Sequence, residues 1–189
     1  MKQNLTIRIK TVRIKRPANL LLVAAVAACI GLAPPVYGAA PAGPCSTNPD
    51  SRALDFWLGD WNIAGPGSAP NAKSTVTAVL DKCIIVETWD GGRGHIGENW
   101  FGYNADDKSW HGMFADNKGR VHVFVNGKVA ADSAEFSGPS QAADGGTVVN
   151  RVRIVRIGPD NVEQIWEKSS DSGATWTTEF RGQYSRKKS

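Results

Sequence analysis

The chain has 189 residues and a formal net charge of +4, from 22 basic and 18 acidic residues. Six of the basic residues and no acidic residue fall within residues 1–38, which leaves 16 basic against 18 acidic residues, a net charge of −2, for the remainder. The positive charge therefore belongs to the N-terminal segment, and no nucleic-acid partner is expected. The remaining length, about 150 residues, is typical of one domain with its own core.

Residues 1–38 have the order of a secretory signal peptide: basic residues first, then the apolar run 20–33, then small residues around Gly38 and Ala39. The apolar run falls short of the roughly 20 residues needed to span a bilayer. We therefore expect cleavage after Gly38 or Ala39, a periplasmic or secreted protein, and no membrane span after processing. Lipid attachment at Cys29, in a sequence that resembles a bacterial lipobox, is a minor alternative.

Residues 39–49 are rich in Pro, Ala and Gly and predict a disordered lead-in. This segment contains Cys45, and Cys83 is the other cysteine that follows the leader. In an exported protein two remaining cysteines favour one disulfide, with free thiols as the alternative. By closing the loop between the two cysteines, the disulfide would stabilise the fold by roughly 3–4 kcal/mol in the chain-entropy model. The cysteine spacing is not typical of a metal site, and no metal is expected.

Residues 50–58 predict a short helix or 3₁₀ turn, because Leu54, Trp57 and Leu58 have helical spacing and Gly59 follows. After Trp61, apolar and polar residues alternate with a period of two, which predicts strands. Glycine, asparagine and aspartate mark the connections, and Asn126-Gly127 is the strongest hairpin signal. The predicted strands are residues 61–64, 74–80, 83–89, 97–103, 109–115, 120–125, 129–136, 147–157, 162–168 and 175–185.

About ten short strands without crossover helices predict an all-β antiparallel meander. Closure into a single up-and-down β-barrel would hide the sheet edges. We expect one barrel domain over residues 50–187, with the helical turn at 50–58 plugging one end. A β-sandwich is the alternative.

Several segments carry a resemblance to a known family. They are residues 56–61 (FWLGDW), 83–89 (CIIVETW), 99–104 (NWFGYN) and the stretch from residue 166 (WEKSSD) through Tyr184. They resemble a widespread set of uncharacterised secreted bacterial domains with lipocalin-like (calycin-type) barrels. The resemblance covers roughly residues 50–187. It implies the barrel architecture, and it carries over no catalytic activity.

One motif within that stretch matches an Asp-box: Ser169, Asp171, Gly173 and Trp176. This motif is best known from sialidases, which need several copies and a much longer chain. With one copy, the residues predict a rigid hairpin turn in which aspartate accepts backbone N–H groups, glycine is left-handed and tryptophan packs beneath.

Histidines and strand carboxylates are the candidates for chemistry. His111 and His122 fall on adjacent predicted strands and could be neighbours across the hairpin, although surface or hydrogen-bonded histidines are more common than ligands. Haem-binding barrels of the calycin type use a histidine near the C-terminus, and none follows His122, so no cofactor is expected. The strand carboxylates could form an acid–base pair inside the barrel, but they are more often on the wet face. They are Glu87, Glu98, Glu163 and Glu167.

Seven tryptophans follow the leader and could either line a cavity or fill the core. The leading hypothesis is a barrel that binds or carries a small hydrophobic ligand, with its mouth at the glycine-rich segment 91–97. The candidate cavity-lining residues are Trp61, Trp89, Trp100, Trp110, His111, His122 and Trp166.

One alternative is a calycin-type enzyme, an isomerase or hydrolase, that uses barrel carboxylates or histidines. The sequence contains no nucleophile motif, so an enzymatic function is less expected than ligand binding. The other alternative is a structural or interaction module of the cell envelope, signalled by an apolar patch on the outer wall. Ligand identity and oligomeric state do not follow from the sequence.

Overall fold

The computed structural model describes residues 43–66, 68–142 and 144–188, and the predicted signal peptide and Cys29 lie outside these residues. A one-turn helix, α1, and two 3₁₀ turns precede ten strands. The helix is Pro44–Thr47 and the 3₁₀ turns are Asp50–Arg52 and Asp55–Trp57. No helix among the described residues has the length and apolarity to cross a membrane. The strands are β1 Gly59–Ala64, β2 Lys73–Val79, β3 Ile84–Asp90, β4 Ile96–Asn104, β5 Ser109–Asp116, β6 Val121–Ala130, β7 Ser133–Gln141, β8 Thr147–Gly158, β9 Asn161–Ser169 and β10 Thr177–Arg186.

The ten strands form one closed barrel in which every strand pairs antiparallel with its sequence neighbours. The barrel closes between the first and last strands, where Trp61 lies opposite Arg186 and Ile63 lies opposite Tyr184. The predicted up-and-down barrel is therefore confirmed, and the fold is not a β-sandwich. Closure leaves no strand edge unpaired, which is why short strands with only hairpin connections form a stable sheet.

The N-terminal 3₁₀ turns cover one end of the barrel, where the even-numbered strands end. Leu54 and Trp57 are fully buried there. The Trp57 ring lies 6.0 Å from Phe101 and 6.5 Å from Tyr184, centroid to centroid. Its backbone carbonyl accepts a 2.9 Å hydrogen bond from Trp61 Nε1. This end, which we call the closed end, is filled by aromatic side chains from the plug and from the barrel wall.

A disulfide joins Cys45 to Cys83 and fastens the N-terminal arm to the connection between β2 and β3. Cys45 lies in α1, which forms within the segment predicted as a disordered lead-in. Proline at the first position suits a helical start, and the cross-link fixes the turn against the barrel. The arm therefore joins the fold several residues before the plug.

The prediction of a hairpin at Asn126-Gly127 is wrong, because β6 runs through both residues and ends at Ala130. Gly127 pairs with Trp110 in the neighbouring strand. A Cβ at Gly127 would lie 2.5 Å from the Trp110 Cβ and 2.7 Å from the Phe136 ring. The glycine is therefore required for close packing across three strands. A tight turn also favours glycine, but for its backbone conformation.

Candidate functional site

The barrel is hollow at the end opposite the plug, where the odd-numbered strands end; we call this the open end. A cavity of about 610 Å³ lies there, and its lining includes the glycine-rich residues Gly91 and Gly92. This volume falls in the range of small-molecule sites in proteins. Arg93 and His95, in the same segment 91–97 that the sequence suggests as the mouth, also contribute to the lining.

Two clusters of rings line the cavity. In the first, the Trp166 indole lies edge-on to Phe114 at 5.0 Å and to His122 at 5.1 Å. In the second, the Trp89 indole lies edge-on to His95 at 4.9 Å and to Phe180 at 5.9 Å. Edge-to-face contacts hold each ring in one orientation, and the resulting walls offer flat apolar surface to a ligand.

A buried polar cluster lies beside the cavity, centred on Glu87, whose side chain is fully buried. Its Oε1 accepts hydrogen bonds from Ser74 Oγ at 2.8 Å, and its Oε2 accepts them from Asn99 Nδ2 at 2.7 Å and Gln164 Nε2 at 3.2 Å. Tyr184 Oη lies 3.0 Å from Oε1. Burial raises the pKa of Glu87, and the four hydrogen bonds offset this only in part.

The geometry of the polar cluster has room for a proton on Glu87. Tyr184 Oη lies within hydrogen-bond distance of both Gln164 Oε1, at 2.6 Å, and Glu87 Oε1, at 3.0 Å. A phenol has one hydrogen and can donate to only one of these oxygens. When it donates to Gln164, the remaining contact is satisfied by a Glu87 Oε1–H group that donates to Tyr184 Oη. A neutral carboxylic acid therefore satisfies every contact in the cluster.

Three residues of the cavity lining each have one buried polar side-chain atom without a hydrogen-bond partner among the described residues. These atoms are Ser68 Oγ, Asn99 Oδ1 and His122 Nδ1. Asn99 commits its Nδ2 to Glu87 and so leaves its oxygen as an open acceptor. Burial, followed by the positive charges of Arg120 and Lys168, lowers the pKa of His122 and favours the neutral ring. Buried polar atoms without partners are uncommon, and in a cavity wall they indicate groups that a ligand or water completes.

The mouth is held by a charged network between two loops. Asp116, whose side chain is shielded from solvent, accepts a 2.7 Å hydrogen bond from Arg120 Nε and lies 2.9 Å from His95 Nε2. Burial alone would raise the pKa of Asp116, but the bonds from Arg120 and His95 outweigh it and hold that pKa well below its usual range. Asn117 Nδ2 donates to the Gly94 carbonyl at 2.8 Å and adds a second link between the loops.

Three of the seven residues predicted to line a cavity do line it: Trp89, His122 and Trp166. Trp61 and Trp110 lie in the apolar core and outside the cavity lining. These five side chains all face inwards, but they differ in their level, that is, their position along the barrel axis. Trp61 and Trp110 lie nearer the filled half of the barrel. Alternation along a strand predicts the face of a residue and gives no information on its level.

The other two predicted lining residues, Trp100 and His111, lie along a shallow groove on the outer wall. His111 is therefore not a neighbour of His122, which faces the interior. The His111 ring bonds Ser109 Oγ at 2.7 Å and Asp107 Oδ2 at 3.1 Å, both through Nε2. A hydrolytic triad needs the carboxylate on the opposite ring nitrogen, so this cluster does not have the geometry that activates a serine.

Of the four strand carboxylates considered as an acid–base pair, only Glu87 lies inside the barrel. Glu167, on the outer wall, accepts hydrogen bonds from Arg151 at 2.9 Å and Arg153 at 3.0 Å. Glu163 pairs with Arg181, and Glu98 accepts a hydrogen bond from the exposed Trp100. The described residues contain no group of three His, Cys, Asp or Glu side chains placed to hold a metal ion.

The Asp-box residues form the β9–β10 hairpin. Asp171 Oδ1 accepts hydrogen bonds from Ser169 Oγ at 2.7 Å and from the Thr175 amide at 2.8 Å. Hydrogen bonds from Thr175 and then Ser169 lower the pKa of Asp171 to about 2. Gly173 adopts a positive φ of 94° and donates its N–H to Ser169 Oγ. The Arg151 guanidinium lies 3.8 Å from the Trp176 ring centroid. Every residue of the motif has a partner within or beside the turn.

An apolar strip crosses the outer wall. Trp100, Met113 and Val123 are cross-strand neighbours on β4, β5 and β6, and they are 40%, 38% and 52% exposed. Exposed apolar patches of neighbouring side chains are typical of interaction surfaces.

The sequence predicts only part of the polar cluster. It leaves Glu87 open between the interior and the favoured wet face, it offers Gln164 as a possible cross-strand partner of the strand carboxylates, and it does not indicate the roles of Asn99 and Tyr184. The signal was present for Glu87, because Ile85, Glu87 and Trp89 share one face of β3 and both neighbours are apolar. Its partners come from three other strands, and only the closed barrel brings them together.

No family model and no curated protein sequence matches the chain. The fold and the site define its class: a single closed ten-stranded antiparallel β-barrel with an N-terminal helical plug and a buried aromatic interior.

Proposed function

We propose that this chain is an exported, lipocalin-like barrel that binds a small hydrophobic ligand in the cavity at its open end. The observation that carries the proposal is the cavity of about 610 Å³ between two clusters of oriented rings. The plug occupies the opposite end, which makes the 91–95 segment the entrance. The Cys45–Cys83 disulfide and the N-terminal sequence pattern support export.

The enzyme alternative has less support from the arrangement of side chains. Acid–base chemistry needs two titratable groups that converge on a substrate. Of the carboxylates and histidines considered for this role, His122 lines the cavity. Glu98, Glu163 and Glu167 point away from the interior, and His111 is on the outer wall. The interior carboxyl group, Glu87, is enclosed by its own hydrogen-bond partners. Binding therefore fits the geometry better than catalysis.

Filling the cavity tests the proposal. Val148 is buried in the cavity lining on β8, and Val155 lies on the opposite face of the same strand. We expect Val148→Trp to weaken binding of N-phenyl-1-naphthylamine, an uncharged fluorescent probe, by about tenfold or more, because the new indole occupies the ligand volume. Val155→Trp is the matched control and should leave the dissociation constant within about twofold. Equal effects of the two variants, or no binding to the wild type, would contradict the proposal.

Native mass spectrometry of the protein from its own compartment tests the same proposal without a chosen probe. A co-purifying mass of a few hundred daltons that Val148→Trp removes would support ligand binding. Multimers without a small molecule would instead support the interaction module, for which the exposed Trp100–Met113–Val123 strip is the relevant surface.

A further inference from the structure

Two features of Asn99 together make its side-chain oxygen, Oδ1, a candidate contact for a ligand. The residue belongs to the cavity lining and is 3% exposed, and its buried Oδ1 has no hydrogen-bond partner among the described residues. A buried acceptor without a partner disfavours an apolar ligand against it and favours one that supplies an N–H or O–H group.

Glu87 fixes the orientation of the Asn99 amide. When the acid proton is on Oε1, Oε2 is a carbonyl oxygen that only accepts hydrogen bonds. Asn99 Nδ2, 2.7 Å away, and Gln164 Nε2 are the two donors to that oxygen. The amide of Asn99 therefore cannot flip without placing two acceptors against each other. Its nitrogen is bound to Glu87, and its oxygen is left without a partner among the described residues.

The two other amide side chains of this wall, Asn150 and Gln164, already have partners. Asn150 accepts from Trp166 Nε1 at 3.2 Å and donates to Ser140 Oγ at 2.6 Å. Gln164 accepts from Tyr184 Oη at 2.6 Å and donates to Glu87. Among these three amide side chains, Asn99 is the one whose oxygen has no partner in the described residues, and the neighbouring Phe114 on β5 offers a flat surface beside it.

We propose that Asn99 Oδ1, positioned by Glu87, selects flat-ring ligands that carry a hydroxyl or N–H group over ligands of the same shape without a donor. This inference rests on the proposed ligand-binding function and adds the chemical class of the ligand. Asn99 contacts the ligand in this proposal, and Glu87 is a positioning residue that acts through Asn99.

A matched pair of probes tests the inference on the wild-type protein. 2-Naphthol and 2-methoxynaphthalene have the same ring system, and only the first can donate a hydrogen bond. We expect 2-naphthol to bind roughly tenfold more tightly by calorimetry at neutral pH, the factor that corresponds to one unpaired buried acceptor. Equal affinity for the two probes overturns the inference and leaves the proposed function standing. Absence of binding by both probes contradicts the proposed function itself.

Three variants assign the preference to the named residues. Asn99→Leu removes the acceptor and should bring the two affinities within about twofold of each other. Glu87→Leu removes the anchor of the amide and should reduce the preference in the same way. Glu87→Gln imitates the neutral acid, because its N–H group donates to Tyr184 and its oxygen accepts from Asn99, and it should keep the preference.

The control is Glu98→Gln, which changes the adjacent carboxylate on the outer face. It should behave as the wild type. Loss of the preference in Glu87→Gln or Glu98→Gln, or its retention in folded Asn99→Leu, would overturn the assignment. The wild-type comparison stands independently of whether any of these variants folds.

Discussion

The two ends of the barrel are built from the same ten strands but differ in how their interiors are filled. At the closed end the inward positions carry apolar rings, and Leu54 and Trp57 of the plug complete the packing. At the open end the inward positions include Glu87, Asn99 and Gln164, and a cavity of about 610 Å³ lies beside them. The inward-facing side chains at each end of the barrel therefore decide whether that end is filled or contains a cavity.

The physical reason lies in what each kind of side chain can do when a space opens. Apolar side chains lose dispersion and burial energy at a void, so they converge and fill it. Hydrogen-bonded polar side chains keep their positions, because moving one into the void leaves its partner unsatisfied. The hydrogen bonds of the polar cluster therefore hold Glu87, Asn99 and Gln164 in place beside the cavity.

The largest expected difference between the two ends is in the cost of removing a ring. Trp57→Ala at the closed end should lower the free energy of unfolding by about 3–5 kcal/mol, the usual cost of deleting a fully buried aromatic side chain. Trp89→Ala at the open end should cost about 1–2 kcal/mol, because the indole already borders a cavity and is only partly buried. Urea unfolding of both variants measures this, and equal costs would remove the distinction between a filled end and a hollow one.

Loss of the disulfide should affect stability at the closed end and leave the open end unchanged. We expect the double variant Cys45→Ser/Cys83→Ser to unfold with a free energy lower by about 2–4 kcal/mol, because the cross-link restricts the unfolded chain. The affinity for N-phenyl-1-naphthylamine should stay within about twofold at a temperature where the variant is folded. A large loss of affinity would mean that the arm and the cavity are coupled. A reducing agent should destabilise the wild type and not the double variant.

The smallest effect is a pH dependence that belongs to the open end. Burial raises the pKa of Glu87 above its ordinary value of 4.5. The stability contributed by this group is therefore fully present below pH 4.5 and is lost as the pH rises through the raised pKa. Glu87→Gln has no proton to lose, so the wild type should become less stable relative to this variant as the pH increases.

Urea unfolding of both proteins between pH 4 and pH 9 gives the difference directly. Asp116, Glu167 and His122 have lowered pKa values and lose stability as the pH falls, but they are present in both proteins and cancel in the comparison. A constant difference across the range would contradict a raised Glu87 pKa.

The strand order and the plug could be predicted because they depend on local signals. The alternation of apolar and polar residues around Val76 and Ala78, followed by turn residues, predicts a strand. The helical spacing of Leu54 and Trp57 predicts the plug. The hairpin at Asn126-Gly127 could not be judged in this way. Glycine serves a turn and a close approach equally well, and Trp110 and Phe136, which exclude a side chain at Gly127, lie on other strands.

By itself the sequence determined an all-β barrel with a helical plug at one end, because period-two alternation and turn residues act over a few neighbouring positions. Only the tertiary structure decided which aromatic residues border the cavity and which fill the core, because that depends on the level each strand contributes to the closed barrel. It also decided that Glu87 is buried with a raised pKa, and that Asn99 bonds it through Nδ2 and leaves Oδ1 without a partner among the described residues. Those properties arise from Ser74, Gln164 and Tyr184, which only barrel closure brings within hydrogen-bond distance.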